Sequence, residues 1–126
     1  FDKTQSKITI SDDDYAEWYR DINENEDDYE GKTLTLKGRV AMAEDLSTKG
    51  RFAFGRHVMT CCVEDIQFAG LMCIYANADD FKTGDWVEIT AKVRVEYEEA
   101  YGEKGPVLYA KSVKACAPAD PEVATF

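Results

Sequence analysis

The reactive side chains of this sequence are concentrated between positions 56 and 65, which read Arg-His-Val-Met-Thr-Cys-Cys-Val-Glu-Asp. This segment holds the single histidine of the chain, two of its four cysteines and two acids. Thiolates, imidazoles and carboxylates ligate metal ions and act as nucleophiles or bases in catalysis. We therefore take Arg56, His57, Cys61, Cys62 and Asp65 as the candidate site residues.

A metal site is one interpretation of this segment. Zinc prefers a tetrahedron of Cys and His ligands, often at C-x2-C or H-x3-H spacing, whereas Cys61 and Cys62 are adjacent. Adjacent side chains of a strand point to opposite faces, so only one of the two could bind a metal together with His57. A site at Cys61, Cys62 and His57 would therefore need a further ligand, such as Cys73 or Cys116, brought close by the fold. We expect no cofactor, with zinc as the alternative.

Thiol chemistry is a second interpretation. His57 and Cys61 are four positions apart, which in a strand is about 13 Å and beyond hydrogen-bond reach. The sequence has no C-x-x-C motif, the usual arrangement of redox-active thiols. Cysteine is also among the most buried residue types, and Cys73 lies at an apolar position of a predicted strand. We therefore predict that the chain is not an enzyme, with a thiol redox or sensor role as an alternative.

The elements that must position this segment are mostly strands. Apolar residues alternate from Leu34 to Met42 and from Val87 to Val95, which is the period-two pattern of half-buried strands. Further strands are predicted at about 51–61, 68–75 and 106–115. The alternation loses its phase after Gly55, which predicts a bulge there. Gly38, in the middle of a long strand, predicts the bend that a small barrel needs at a corner.

A strand and a helix are predicted before the barrel, over about residues 8–28. Tyr15, Trp18, Tyr19 and Ile22 recur at the spacing of one helix face, and Ser11 suits the N-cap of that helix. Residues 117–126, which include two prolines, are predicted to form an irregular tail. One helix and five barrel strands in this order predict a single all-β domain, 1–126, with an OB-like five-stranded barrel.

Charge limits the classes of partner. The chain has 25 acids and 15 bases, a net charge of −10, which disfavours nucleic acid and anionic membrane surfaces because both attract basic proteins. OB domains often stack bases on aromatic side chains, and Tyr97 and Tyr101 are the candidate ligand-facing aromatics of a loop between two strands. That loop is rich in glutamate, which repels phosphate. We therefore expect a protein partner and no nucleic acid.

The double cysteine after an arginine also carries a family resemblance. Together with Tyr-Glu-Gly-Lys at 29–32 and Asp-Trp-Val at 85–87, the segment from Arg56 to Asp65 makes the chain similar to the C-terminal domain of the YcgQ-like family of bacterial membrane proteins. The resemblance extends from about Ile8 to Pro118. It implies a soluble domain of a protein that also has N-terminal membrane helices, no assigned catalytic activity, and a permease, encoded beside it, as the partner subunit.

The resemblance thus implies a non-catalytic binding or assembly module of a bacterial membrane-associated complex. The sequence itself has no apolar run near the roughly 20 residues of a transmembrane helix, so we expect no direct insertion by this chain. It begins at Phe1 without an initiator methionine. We expect association with the membrane through a missing N-terminal segment, with the domain on the extracytoplasmic side.

Overall fold

The computed structural model describes residues 1–42, 50–60 and 62–125. These residues form one α-helix, α1 (Tyr15–Glu24), and short 3-10 helices at Asp12–Asp14, Glu26–Tyr29, Val63–Asp65 and Ala78–Asp80. The strands are β1 (Lys7–Thr9), β2 (Thr33–Ala41), β3 (Arg51–Met59), β4 (Gln67–Ile74), β5 (Trp86–Glu98), β6 (Glu103–Ala115) and β7 (Ala124–Thr125). The predicted β-rich fold with one N-terminal helix is confirmed.

Five of the strands form the OB-like barrel that the sequence predicts. β2 pairs antiparallel with β5, β5 with β6, β4 with β3 and β3 with β2, whereas β6 and β4 pair in parallel. The pairing therefore leads from β2 through β5, β6, β4 and β3 back to β2. β4 and β6 are paired at two positions, Cys73 with Leu108 and Ile74 with Tyr109, so the barrel is partly open on this side.

The predicted corner at Gly38 coincides with a change of strand partner. Positions 33–39 of β2 pair with β5, and positions 39–41 pair with β3. A Cβ atom on Gly38 would lie 2.7 Å from the ring of Phe54 and 2.9 Å from the carbonyl oxygen of Gly55. Glycine is therefore required at this point for β2 and β3 to approach each other.

α1 packs on the core through the stripe that its spacing predicts. Tyr15, Trp18 and Ile22 are buried. The helix begins later than expected, because the three aspartates after Ser11 first form a 3-10 turn. The Ser11 hydroxyl donates a hydrogen bond to the carboxylate of Asp14, at 3.0 Å, and makes no side-chain cap to the backbone. The N-cap prediction for Ser11 is therefore wrong for α1.

The bulge predicted near Gly55 is also wrong. β3 and β4 pair without a shift from Arg51–Ile74 to Val58–Gln67. Arg56 keeps the inward phase of the apolar residues before it and is buried, so an arginine at a core position produced the apparent loss of phase. The register shift lies instead between β5 and β6, at Thr90 and Ala91.

The C-terminal tail is more ordered than predicted. Ala124 and Thr125 pair in parallel with Val58 and Met59 at the end of β3. Ala119 and Ala124 are buried. The tail from 117 is therefore not irregular throughout, because its last part adds a strand to the sheet.

Among the described residues, no helix has the length and apolar character needed to cross a bilayer.

Candidate functional site

β3 sends two neighbouring candidate residues to opposite faces of the sheet. Arg56 points into the protein and is 1% exposed. His57 points outward, where its ring lies 5.3 Å from the ring of Phe68 on β4, centroid to centroid, at an interplanar angle of 69°. Because successive side chains of a strand alternate, the structure does not bring Arg56 and His57 together.

Arg56 binds three backbone carbonyl groups. Its Nη1 donates to the carbonyl of Asp12 at 2.9 Å. Its Nη2 donates to the carbonyl of Pro121 at 2.8 Å and to that of Glu122 at 3.3 Å. One guanidinium thus ties the segment before α1, the middle of β3 and the C-terminal tail to each other.

The guanidinium of Arg56 also lies between two aromatic rings. Its central carbon is 5.5 Å from the ring centroid of Tyr15 and 5.8 Å from that of Trp86, within the range of a cation–π interaction. Burial lowers the pKa of Arg56, and the carboxylate of Asp12, 4.0 Å away, partly offsets that effect. These contacts give Arg56 a structural role, which accounts for an arginine at this buried position.

The cysteines fall in different environments. Cys61 lies outside the described residues. Cys62 donates from its Sγ to Oδ2 of Asp65 at 3.3 Å, across the short Val63–Asp65 helix. Cys73 is fully buried, and this burial raises the pKa of its thiol to about 12. Cys116 is half-buried, and desolvation raises its pKa too.

Of the predicted zinc ligands, the structure describes His57 and Cys62 but not Cys61. In the part of the chain that the structure describes, no three His, Cys, Asp or Glu side chains are grouped as a metal site would require. The predicted set includes Cys61, which is not described, so the zinc and thiol alternatives stay predictions.

The two candidate tyrosines of the β5–β6 hairpin differ in exposure. Tyr97 is 65% exposed. The hydroxyl of Tyr101 accepts a hydrogen bond from the backbone N–H of Met72 at 2.7 Å and donates one to the carbonyl of Pro106 at 2.8 Å. Burial raises the pKa of Tyr101 to about 12. Tyr101 therefore bridges β4 and β6 on the open side of the barrel, whereas Tyr97 is accessible.

A cleft of about 290 Å³ lies beside the His57–Phe68 pair. α1, the end of β3, the turn before β4 and the start of β4 enclose it. It is lined by Tyr19, Val58, Thr60, Asp65, Gln67, Phe68 and Ala69. Phe68 is 36% exposed, and Asp65 is the one acid among the lining residues. The cleft thus combines an apolar wall, an accessible aromatic ring and a carboxylate. We call Phe68, His57 and this cleft the aromatic cleft site.

Two tyrosines of α1 fix the wall of the cleft. The hydroxyl of Tyr15 donates to the carbonyl of Ala69 at 2.6 Å, and that of Tyr19 donates to the carbonyl of Gly70 at 3.3 Å. Burial raises the pKa of both tyrosines, which keeps the hydroxyls protonated as donors. The helix is therefore held against β4 at a defined distance.

Of this site, sequence reasoning found His57 and Asp65 and missed Phe68 and Tyr19. Tyrosines in place of leucines on the buried face of α1 were the available signal, because a buried tyrosine hydroxyl needs a hydrogen-bond partner. For Phe68 the signal was weaker, since an aromatic residue is ordinary at the start of a strand.

Comparison with known proteins identifies a family and a fold. The model of the DUF1980 C-terminal domain matches residues 2–123 of the chain. A search of the curated proteins found no match.

Three solved structures illustrate the likeness in fold. OBody AM2EP06, bound to hen egg-white lysozyme, aligns with a TM-score of 0.51 and 13% identity over 81% of this chain and 93% of its own. OBody AM3L15, also bound to hen egg-white lysozyme, gives 0.50 and 14% over 81% and 94%. A small single-stranded DNA-binding protein from Streptomyces coelicolor gives 0.45 and 16% over 68% and 93%. The two OBody likenesses agree with the OB-like strand order and bear on the fold alone.

Proposed function

The chain belongs to the DUF1980 C-terminal domain family, and from this premise we propose that it is a non-catalytic module that binds a protein partner in a bacterial membrane-associated complex. The aromatic cleft site is the surface that carries the proposal. It joins an accessible phenylalanine to a cleft of about 290 Å³, which is enough for a side chain or a short segment of a partner. Exposed aromatic side chains beside a pocket are the usual anchors of protein interfaces.

Contacts with neighbouring residues hold the aromatic cleft site in one geometry. Phe68 is held edge-on by His57, at a centroid distance of 5.3 Å, and the cleft wall is fixed by the hydroxyl of Tyr19. A preformed surface loses little conformational entropy when a partner binds. This rigidity supports recognition of a partner.

The chemistry of the cleft suggests what the partner contributes. Its lining combines apolar and aromatic side chains with polar ones, and its one lining acid is Asp65. The whole chain has a net charge of −10, which attracts basic surfaces and speeds association with them. We infer that the partner inserts an apolar side chain into the cleft, next to a lysine or arginine.

The described thiols do not support a catalytic role. A thiol attacks as the thiolate, and burial raises the pKa of Cys73 to about 12. His57 packs on Phe68, which accounts for its position without a role as a base. The proposal that the chain is not an enzyme rests on these observations.

The membrane setting comes from the resemblance of the chain to the YcgQ-like family. That resemblance implies membrane helices elsewhere in the protein and a permease-type subunit as partner. We propose that the partner bound at the aromatic cleft site is this permease-type subunit and that the complex presents the domain on the extracytoplasmic side.

Co-purification tests the proposal. The tagged full-length protein is captured from solubilised native membranes, and the permease encoded beside it is quantified by mass spectrometry. We expect Phe68→Ala to lower recovery of the permease by at least about tenfold, since loss of a central aromatic anchor costs about 2 kcal/mol or more. Tyr97→Ala removes an aromatic residue that is 65% exposed outside the site, and it is the matched control.

Two results would contradict the proposal. Failure of the wild-type protein to recover the permease rules out that partner. Equal recovery by Phe68→Ala and Tyr97→Ala, with both variants folded by circular dichroism, shows that the partner binds elsewhere.

A further inference from the structure

The outer face of β1, β2, β5 and β6 carries a row of hydroxyl groups. The strand register places Thr9 beside Thr35, Thr35 beside Thr90, and Thr90 beside Ser112. The hydroxyl oxygens of Thr35 and Thr90 are 3.3 Å apart. Neighbouring strands are about 4.8 Å apart, so this hydroxyl row crosses four strands as one continuous line of hydrogen-bonding groups.

Lysines flank the hydroxyl row on both sides. Lys7 and Lys92 lie one outward position away on one side, both beside Thr33 in the register. Lys37 and Lys114 lie one outward position away on the other side, both beside Glu88. Two residues along a strand span about 6.6 Å, so each of the four lysines is about that far from the hydroxyl row along its strand.

One exposed acid, Glu88, lies between Lys37 and Lys114 in the strand register, so the four lysines outnumber it on this face. Lys7 and Lys114 are exposed, and Lys37 and Lys92 are partly exposed. Taking the described residues together, no carboxylate oxygen lies within 4.0 Å of any of the four ammonium groups. Arg39 lies further along β2, and the exposed Lys111 lies next to Ser112 on β6, at the register shift; both add to the positive charge.

The basic face contrasts with the charge of the whole chain. Of its 25 acids, ten lie between positions 11 and 30 and four between 96 and 103. Charges separated by more than about 10 Å are largely screened at 0.1 M salt. The net charge of −10 therefore acts on long-range approach at low salt, as in the association with a basic partner. At about 0.1 M salt the contacts of this face depend on its own local charge.

We propose that the hydroxyl row and its flanking lysines dock on the anionic headgroups of a membrane surface. The inference deepens the proposed function, since it rests on the membrane setting of that proposal and adds the surface that orients the domain. Lysine ammonium groups attract anionic lipids at the bilayer surface. Threonine and serine hydroxyls donate hydrogen bonds to phosphate oxygens without adding charge.

A membrane surface fits this face better than nucleic acid does. Single-stranded nucleic acid is bound by aromatic side chains on which bases stack. Three aromatic residues lie within the register of these strands. Tyr109 is half-buried and donates its hydroxyl to Glu96 at 2.7 Å, Trp86 is buried, and the exposed Tyr97 lies at the hairpin end of β5, away from the hydroxyl row. The accessible Phe68 lies on β4, outside the four strands of the face. Headgroup binding needs charge and hydrogen-bond donors, which the face supplies.

Vesicle cosedimentation of the purified chain tests the inference. The probes are vesicles of phosphatidylcholine alone and of phosphatidylcholine with about a third phosphatidylglycerol, at about 0.1 M salt, where the remote acids are screened. We expect binding to the anionic vesicles alone. Lys92→Glu combined with Lys114→Glu should lower it at least about tenfold, because each basic residue near the surface contributes to the attraction.

A charge-matched control separates this surface from net charge. Arg20→Glu combined with Lys104→Glu changes the net charge equally but alters residues outside the face, and we expect it to bind within about twofold of the wild type. Phe68→Ala should bind vesicles as the wild type does, so this assay is independent of the permease interaction.

Three outcomes would overturn the inference. They are failure of the wild-type chain to sediment with anionic vesicles, equal losses in the two double variants, and binding of an oligothymidine with no binding of vesicles. None of them would affect co-purification with the permease, so the two proposals fail separately.

Discussion

Arg56→Met is the substitution for which the structure makes the sharpest prediction. It keeps most of the side-chain volume and removes the charge and all donors. Three backbone carbonyls, those of Asp12, Pro121 and Glu122, would lose hydrogen bonds of 2.9, 2.8 and 3.3 Å. The segment before α1 and the C-terminal tail would lose the group that joins them.

The expected cost follows from two opposing contributions. Each hydrogen bond from a charged donor contributes about 1.5–3 kcal/mol, so three contribute roughly 4–9 kcal/mol. Keeping a cation that is 1% exposed away from water costs several kcal/mol, which the substitution recovers. We expect the free energy of unfolding to fall by about 2–4 kcal/mol, the difference between these two contributions. Arg56→Lys keeps the charge, but one ammonium cannot bond on both sides as the planar guanidinium does, so part of this loss should remain.

Denaturant unfolding and hydrogen exchange measure this effect together. Unfolding gives the global change, and exchange at Ala124 and Thr125, which pair with β3, shows whether the tail opens first. We expect the tail amides to lose protection before those of β5. A variant as stable as the wild type with a protected tail would refute the reasoning, because apolar contacts alone would then hold the tail.

The remaining predictions concern three other buried positions. Tyr101→Phe removes a hydroxyl that bonds the backbone of both β4 and β6 and should lower the free energy of unfolding by about 1–3 kcal/mol; an unchanged denaturation midpoint would contradict it. Gly55→Ala drives a Cβ atom into the backbone oxygen of Ala69 on β4 and should cost about 1–3 kcal/mol or more; a variant of wild-type thermal stability would show that the strands can separate. Cys73, whose thiol pKa is raised to about 12 by burial, should react with iodoacetamide far more slowly than Cys116 in the folded protein and equally in denaturant; rapid labelling of Cys73 in the folded protein would show that its burial is incomplete.

The parts of the fold that sequence predicted well are those in which side-chain period and burial agree. The alternation of apolar residues correctly predicted β2 and β5, whose inward-facing residues are mostly buried. The apolar stripe correctly predicted α1. Gly38 indicated the barrel corner, because glycine inside a regular strand often marks a tight bend or a close approach of another backbone. In these elements, each residue type matches its local environment.

The sequence-based predictions were wrong where a side chain forms its contacts with residues that are distant in the sequence. Arg56 is polar by type and occupies a core position, because its partners come from segments about 44 and 65 positions away. Local pattern therefore suggested a bulge near Gly55. The structure shows instead a regular strand and a buried arginine that binds carbonyls.

The candidate site was only partly predictable for a related reason. His57 and Asp65 were found because of their residue types. Phe68 and Tyr19 belong to the same cleft only because β4 and α1 meet there, and no pattern within either element reports that contact. Tyr101 was predicted as a ligand-facing aromatic of the hairpin loop, whereas its hydroxyl forms hydrogen bonds with the backbone of both β4 and β6.

The contacts of the Arg56 guanidinium with carbonyl groups from two distant segments bear on how the chain could be rearranged. Asp12 and Glu122 both bond to Arg56, so the stretches on either side of the barrel lie next to each other. Proteins whose ends adjoin in space tolerate circular permutation and insertion into a host domain. A short linker could join these stretches, and new chain ends could be placed at the β5–β6 turn. Gly102 in that turn has a φ of 69°, and no heavy atom lies within 4 Å of the position that a Cβ atom would take there. Such a permutant would keep the three carbonyl contacts of Arg56, because its new ends would lie outside the segments that Arg56 joins.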